Sequence, residues 1–351
     1  MLQATYTKYV LNFKVPSATS RSVLTQKVSY FIKIVDTVKP DFIAIGEAAP
    51  LDGLSIDAHS SFEFFLKHIC ENINEFITQI ATIRLKYPSI AFALESALLQ
   101  LKSKSNCILH DTDFSKGLQS IPINGLIWIG TIDAMKKQIN EKIEQGYSVV
   151  KLKIGANNFE DELNILKWIR TEYKNEQLIL RLDANGAFAT NDAKEKIKQL
   201  SEYEIHSIEQ PIKQGQHDEM TALCRDTAIP IALDEELIAI VSYELKKKLI
   251  EKIQPQYIIL KPTLHGGITG SEEWITIARK NNIPYWITSA LESNIGLNAI
   301  AQWTSSIEDA KDITHGLGTG QLYTNNINSP LYIENGHLFF DTTKSIDSSI
   351  I

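Results

Sequence analysis

Residues 5–15 (Thr-Tyr-Thr-Lys-Tyr-Val-Leu-Asn-Phe-Lys-Val) alternate apolar with polar side chains, the period of a strand with one buried face. A polar stretch rich in Ser and Thr, 16–22, follows and carries Arg21. Residues 29–35 and 42–47 predict two more strands, which short connections would join to the first as an antiparallel sheet. The period then lengthens. Phe62, Phe65, Ile69, Ile73 and Ile77 recur at three- and four-residue steps and predict helix over 61–84; Ile90, Leu94, Leu98 and Leu101 do the same over 89–104. Strands followed by helices predict a segregated α+β unit. Its boundary falls near 106–122, where Asp111, Gly117 and Pro122 break the periodicity.

From there short apolar runs alternate with helical segments. Strands are predicted at 125–130, 149–154, 178–184, 205–209, 231–234, 257–261 and 285–289, with a weaker one at 313–318. Seven helical segments lie between them, for example 131–145, 159–173 and 190–203, each long enough for a right-handed parallel crossover. Eight strands with seven helices predict an α/β architecture, a modified TIM barrel of the form (β/α)7β. The predicted division is a capping domain over 1–118, a barrel over 119–320 and a tail over 321–351. The tail reads as a hairpin at 330–340 with no place in a barrel, and it is expected to pack on the N-terminal sheet and complete the capping domain.

Charged residues recur at one phase of this rhythm. Lys153, Asp183, Glu209, Asp234 and Lys261 close successive apolar runs at intervals of 25 to 30 residues, the length of one βα unit. A barrel that gathers the carboxyl ends of its strands into one site has this pattern. Each acid alone is better explained as a helix cap or loop residue than as a ligand, and Lys151 with Lys153 is equally well explained as solvated lysines at an exposed strand end. Three acids in phase on successive strands are hard to obtain by chance. With no His or Cys cluster beside them they offer hard oxygen ligands, which suit Mg²⁺ and argue against zinc or copper. Asn185 shares a face with Asp183 and is placed to orient a ligand or touch substrate. Glu235 should point away from Asp234 if its strand is regular. Like-charge repulsion between lysines on either side of the acids would lower a lysine pKa toward that of a base working near pH 7. His206 reads as structural; His265, in the loop after the Lys261 strand, reads as a solvated loop residue, with reach to the site mouth as the alternative; Gly266-Gly267 reads as a tight turn.

Composition narrows the function classes. The 351 residues carry 44% hydrophobic and 22% charged side chains, as in an ordinary globular protein. The net charge of −7 and the lack of a basic run exclude nucleic acid as the expected partner. Cys70, Cys107 and Cys224 follow no metal-ligand spacing, and three cysteines suit a reducing, cytoplasmic setting. Neither a signal peptide nor a membrane span is expected.

Lys-x-Lys, Arg-Leu-Asp-Ala-Asn, Ile-Glu-Gln-Pro, Leu-Asp-Glu and Lys-Pro-Thr, in this order and spacing, resemble the enolase superfamily in its muconate-lactonizing subgroup. The resemblance covers essentially the whole chain. Finer features are similar to the o-succinylbenzoate synthase family: Ile123-Asn-Gly-Leu-Ile-Trp-Ile-Gly130, Leu260-Lys-Pro-Thr-Leu-His-Gly-Gly267, Ser289-Ala-Leu-Glu-Ser-Asn-Ile-Gly-Leu297, Ser20-Arg21-Ser22 and Gly46-Glu-Ala-Ala-Pro50. The resemblance implies Mg²⁺, with Mn²⁺ as an alternative, on Asp183, Glu209 and Asp234. It implies Lys153 as base and acid and Lys261 as a cationic stabiliser, with Lys151 a further catalytic candidate. It implies a small carboxylate substrate met by Arg21, Asn185, Thr263, Ser289 and Glu292, and syn-dehydration to o-succinylbenzoate in menaquinone biosynthesis. Two rivals stand. Dipeptide epimerases and N-acylamino acid racemases use the same two lysines, but carry an acidic Asp-x-Asp motif where this chain reads Thr314-His-Gly-Leu-Gly-Thr-Gly320. A non-catalytic barrel holding Mg²⁺ structurally would have no use for paired lysines.

Overall fold

The alternation at the start of the chain becomes β1 (Leu2–Ala18), β2 (Val23–Asp36) and β3 (Lys39–Ala48), an antiparallel sheet in the order β1-β2-β3. A computed structural model of the protein describes residues 1–18 and 23–347. The predicted helix over 61–84 is broken into α1 (Phe62–Glu71), α2 (Ile73–Phe76) and α3 (Ile80–Ile83). Asn72 and Gln79 leave the helical backbone at the breaks, and the Asn72 amide donates back to the His68 carbonyl at 3.0 Å. A short amide competes with the helix ladder in this way. Next comes α4 (Pro88–Ser103). Tyr30, Ile32 and Ile34 of the sheet pack with Phe62, Leu66, Ile69, Ile90 and Leu94 into one core. Gly46 is required where α4 crosses β3, since a Cβ there would lie 1.9 Å from the Ala93 carbonyl oxygen.

The barrel rhythm follows after β4 (Ile121–Pro122). Its elements are β5 (Gly125–Ile127), α5 (Ile132–Glu144), β6 (Val149–Lys153), α6 (Phe159–Glu172), β7 (Ile179–Asp183), α7 (Ala193–Leu200), β8 (Ile205–Glu209), α8 (His217–Arg225), β9 (Ile231–Leu233), α9 (Tyr243–Ile253), β10 (Tyr257–Leu260), α10 (Gly267–Lys280), β11 (Tyr285–Ile287) and α11 (Asn294–Ser305). Seven strands run parallel in chain order from β5 to β11. The eighth predicted strand shrinks to two residues. His315 bridges Ile123 and Gly316 bridges Thr288, both in parallel, so the pair spans from one edge of the sheet to the other. Glycines at 316, 318 and 320 alternate through this run and weaken a longer strand. The buried His315 ring makes up part of the loss: Nδ1 accepts from the Ile287 amide at 3.0 Å and Nε2 donates to the Ala310 carbonyl at 2.9 Å.

One part of the tail, its hairpin, pairs elsewhere than expected. β12 (Leu331–Glu334) and β13 (His337–Phe340) form a sheet with β4, not with the N-terminal sheet. Leu338 and Phe340 are buried there, with Phe340 edge-on to Phe114. The β1 edge is met by the preceding residues instead: Tyr323 bridges Phe13, and Asn325 pairs its side chain with the Asn12 amide and the Val10 carbonyl, each at 2.8 Å.

Two carboxylates, one buried and one half-buried, fasten the N-terminal unit to the barrel. Glu47 on β3 accepts from the Ser293 and Gly296 amides at the start of α11, each at 2.8 Å. Glu95 on α4 accepts from the Ile268 amide at 2.6 Å in the first turn of α10. Unpaired amides and the helix dipole make such positions favourable for an anion. Arg84 and Lys246 meet Glu273 from the two sides of the same seam, at 2.6 and 2.9 Å. No helix among the described residues is long and apolar enough to cross a membrane.

Burial pushes the His315 pKa down to about 4 from the ordinary 6.5. The unfolded chain therefore binds the extra proton first, and the stability tied to a neutral ring, full above about pH 6.5, is lost as pH falls through about 4. His315→Ala should be less stable than wild type at about pH 7. That deficit should narrow by about 2 kcal/mol by about pH 4.5. Urea unfolding of both proteins at the two pH values checks this; a deficit that stays constant would mean the ring is not held neutral.

Candidate active site

Alternation along the barrel strands sends one set of side chains inward. On β6 these are Lys151 and Lys153; on β7, Arg181 and Asp183; on β8, Ser207 and Glu209. The register places Lys153, Asp183 and Glu209 side by side at the carboxyl ends of their strands. Asp234 and Lys261 continue the row, each one residue past the end of its strand. Beneath this charged layer the interior is filled. The Arg181 guanidinium lies 4.2 Å over the Trp286 ring and donates to the Thr314 carbonyl at 2.9 Å, among Ala232 and Ile259. The charges therefore face only the mouth.

Each acid is turned onto a lysine. Lys151 Nζ lies 3.0 Å from Glu209 Oε2 and 3.1 Å from Asp183 Oδ2. Lys153 Nζ donates to Asp183 Oδ2 and Asn185 Oδ1, both at 2.8 Å, and Lys261 Nζ pairs with Asp234 Oδ2. The Asn185 amide group donates onward to Glu235 Oε1 at 2.9 Å. Glu235 thus supports the cluster through Asn185 and does not point away from it. β9 ends at Leu233 and the chain enters a 3-10 turn at Glu235, so strand alternation does not apply to it.

Burial and opposite charge act against each other throughout the layer. Burial opposes the Lys151 ammonium, but Asp183, Glu209 and Asp234 outweigh it and hold the pKa above the ordinary lysine value. Burial likewise opposes Lys261, and Asp234, Glu209 and Glu235 outweigh it. Repulsion from Lys151 is the smaller effect on Lys261. Lys151 and Lys153 overcome the burial of Asp183 and hold its carboxyl below the usual range. Glu209 goes the other way. Burial and the like charge of Asp183 push it well above its ordinary value, against the pull of Lys151.

Among the described residues, no three acidic, His or Cys side chains converge as a ready metal cage. The donor set nonetheless fits a hard divalent cation. Asp183, Glu209 and Asp234 present carboxylate oxygens from adjacent strands, and Asp234 Oδ1 is buried without a hydrogen-bond partner. The crowding of like charge that raises Glu209 is what a cation among the three would relieve.

The other expected residues lie around this layer. Thr263 and Ser289 both donate to the fully buried Glu292, Ser289 at 2.5 Å, and Thr319 donates to Ser289 at 2.7 Å. These side chains form a knot whose polar atoms engage one another. Arg21 lies outside the described residues. His265 is not a solvated residue: it is 5% exposed, with Nδ1 accepting from the Lys261 amide at 3.1 Å. His206 is stacked on Tyr257, and burial pushes its pKa down to about 4, as suits a structural ring.

Two residues were not singled out from the sequence. Gln210 takes a left-handed backbone (φ 39°) directly after Glu209, and its Oε1 accepts from the Asp234 and Glu236 amides at 3.2 and 3.1 Å. Its place inside Ile-Glu-Gln-Pro was the available signal. Trp128 follows β5 and lies 5.8 Å over the Lys153 ammonium, in an apolar cluster with Phe13, Leu24, Leu51 and Leu291. That cluster joins the N-terminal unit to the site mouth; nothing in strand periodicity marks it.

The family model described as enolase C-terminal domain-like matches residues 134–344. The o-succinylbenzoate synthase of Desulfotalea psychrophila (strain LSv54) is 40% identical over 96% of this chain and 98% of that protein. The crystal structure of MenC from the same organism has a TM-score of 0.85 at 37% identity, covering 96% of this chain and 99% of that one. A dipeptide epimerase from Enterococcus faecalis V583, complexed with Mg and the dipeptide L-Leu-L-Tyr, has a TM-score of 0.84 at 19% identity, with 96% of each chain covered.

If the three acids hold a divalent cation, millimolar Mg²⁺ should raise the melting temperature of the wild type by a few degrees (about 1 to 2 °C per kcal/mol of binding for a chain of this length). Asp234→Asn should lose most of that rise. Thermal melts with Mg²⁺ and with EDTA read this without any substrate; equal rises in both proteins would remove Asp234 from the ligand set.

Proposed function

The chain belongs to the enolase superfamily as one of its enzymes, and from that premise we propose that it aromatises 2-succinyl-6-hydroxy-2,4-cyclohexadiene-1-carboxylate to o-succinylbenzoate, the o-succinylbenzoate synthase step of menaquinone biosynthesis. The observation that carries this reading is the likeness to an o-succinylbenzoate synthase through N-terminal unit and barrel alike, because both build the site mouth.

Lys153 is the base. Its amine takes the α-proton at C1, and the electron pair moves into the carboxylate to give an enediolate. The electrons return to form the ring double bond as the C6–O bond breaks. The Lys153 ammonium gives its proton to the departing hydroxyl on the same face, so the net loss is one water. Asp183 and Asn185, each 2.8 Å from Lys153 Nζ, hold it in place through both transfers. Lys261, kept charged by Asp234, faces the enediolate from the other side and stabilises its negative charge. Lys151 holds Asp183 and Glu209 together. A divalent cation on Asp183, Glu209 and Asp234, Mg²⁺ or in its stead Mn²⁺, would supply positive charge beside the same carboxylate oxygens. Thr263, Ser289 and Glu292 form the wall on the Lys261 side, and Arg21 is assigned to the succinyl carboxylate.

A second reading is epimerisation of an N-succinylamino acid or a dipeptide, with Lys153 and Lys261 serving opposite faces of the α-carbon. The fold likeness to dipeptide epimerases favours keeping it. Against it, 314–320 offers no carboxylate to an α-ammonium group.

Loss of diene absorbance with Mg²⁺ present is the test. Turnover should stop with EDTA, return with added Mg²⁺, and fall by about 10²- to 10⁴-fold in Lys153→Ala. If the diene persists while N-succinylamino acids gain deuterium at the α-carbon in D₂O, the second reading replaces the first.

A further inference from the structure

The Lys261 backbone amide has no strand partner. β10 pairs with β9 only through Tyr257↔Ala232 and Ile258↔Leu233, and β9 stops at Leu233. On its other side β10 pairs with β11 as far as Leu260↔Ile287. A buried amide left without an acceptor costs about 1–3 kcal/mol, and it would leave the backbone under Lys261 free to tilt. The His265 ring takes that place. Its Nδ1 accepts from the Lys261 amide at 3.1 Å, while the His265 amide donates back to the Lys261 carbonyl at 3.1 Å and the Leu264 amide does so at 2.8 Å. A backbone N–H can only donate, so Nδ1 is the acceptor, and the neutral ring carries its proton on Nε2. The ring is 5% exposed and lies against Trp274, with centroids 6.2 Å apart. It sits in the turn that leads into α10, whose first turn is held by Glu95 from the N-terminal unit.

We propose that His265 is a positioning residue for the reaction: its Nδ1 clamps the Lys261 backbone and so fixes where the Lys261 ammonium stands against the developing enediolate. This rests on the role given to Lys261 above. Loss of the clamp should weaken an interaction that matters most in the transition state, and so act on kcat rather than KM. A displacement of about 1 Å at a catalytic group is enough to cost about a hundredfold.

Three substitutions separate position from bulk. Asn places an acceptor oxygen where Nδ1 was, Gln places one nearer Nε2, and Leu has none. His265→Leu and His265→Gln should lose about tenfold to about a hundredfold in kcat with KM within about twofold. His265→Asn should recover most of the loss. Equal losses in all three, or wild-type turnover in His265→Leu, would overturn the proposal. The same series is read on hydrogen exchange of the Lys261 amide, which needs no substrate. Protection should survive in wild type and Asn and vanish in Leu and Gln; uniform protection overturns the clamp even if the diene turns out not to be the substrate. If the clamp is present while the wild type leaves the diene untouched, the assigned reaction fails and the backbone role stands.

Discussion

Everything at the mouth of this barrel depends on pairing buried charge. Lys151, Lys153 and Lys261 stand against Asp183, Glu209 and Asp234 in a layer almost closed to solvent, and none of the six would be tolerable there alone. Burial is the largest single influence on Lys151, Lys261 and all three acids, and in each except Glu209 the opposite charges beside it prevail. Glu209 is the exception because it has two acids beside it and shares its one close lysine with Asp183. The layer is thus held together by the lysines, and like charge is crowded most closely at Glu209.

Such a layer needs a backbone that does not move. Strands of three to five residues leave amides beyond the last rung of the ladder, and side chains fill in for the absent carbonyls. Gln210 accepts from the Asp234 amide, His265 from Lys261, His315 from Ile287, Gln138 from Trp128 and Gln256 from Ile231. Three of these donors are at or next to charged or aromatic groups of the site. Satisfying a strand-end amide and aiming the side chain on the same residue are one act, because both turn on the same peptide plane.

The N-terminal unit is fixed by similar means. Glu47 and Glu95 occupy the first turns of the two helices that follow β11 and β10, the strands nearest the Lys261 side of the mouth. The apolar cluster of Phe13, Leu24, Leu51, Trp128 and Leu291 closes the seam on the Lys153 side. One side of the mouth is pinned by charge and the other by packing.

What the sequence determined by itself was the part governed by local period and phase. The three-stranded sheet, the seven parallel strands and the placing of Lys153, Asp183, Glu209, Asp234 and Lys261 at one level all follow from alternation along short apolar runs, since a strand sends every second side chain to one face. What only the tertiary structure decided lies where period ends. The turn after Leu233 brought Glu235 into the cluster, single bridges at His315 and Gly316 stand in place of an eighth strand, and the hairpin at 331–340 pairs with β4 while Tyr323 and Asn325 meet the β1 edge. His265 looked like a loop residue from its neighbours in sequence. It is buried because the Lys261 amide needed an acceptor that no strand could supply, and a need of that kind is set by which strand ends where.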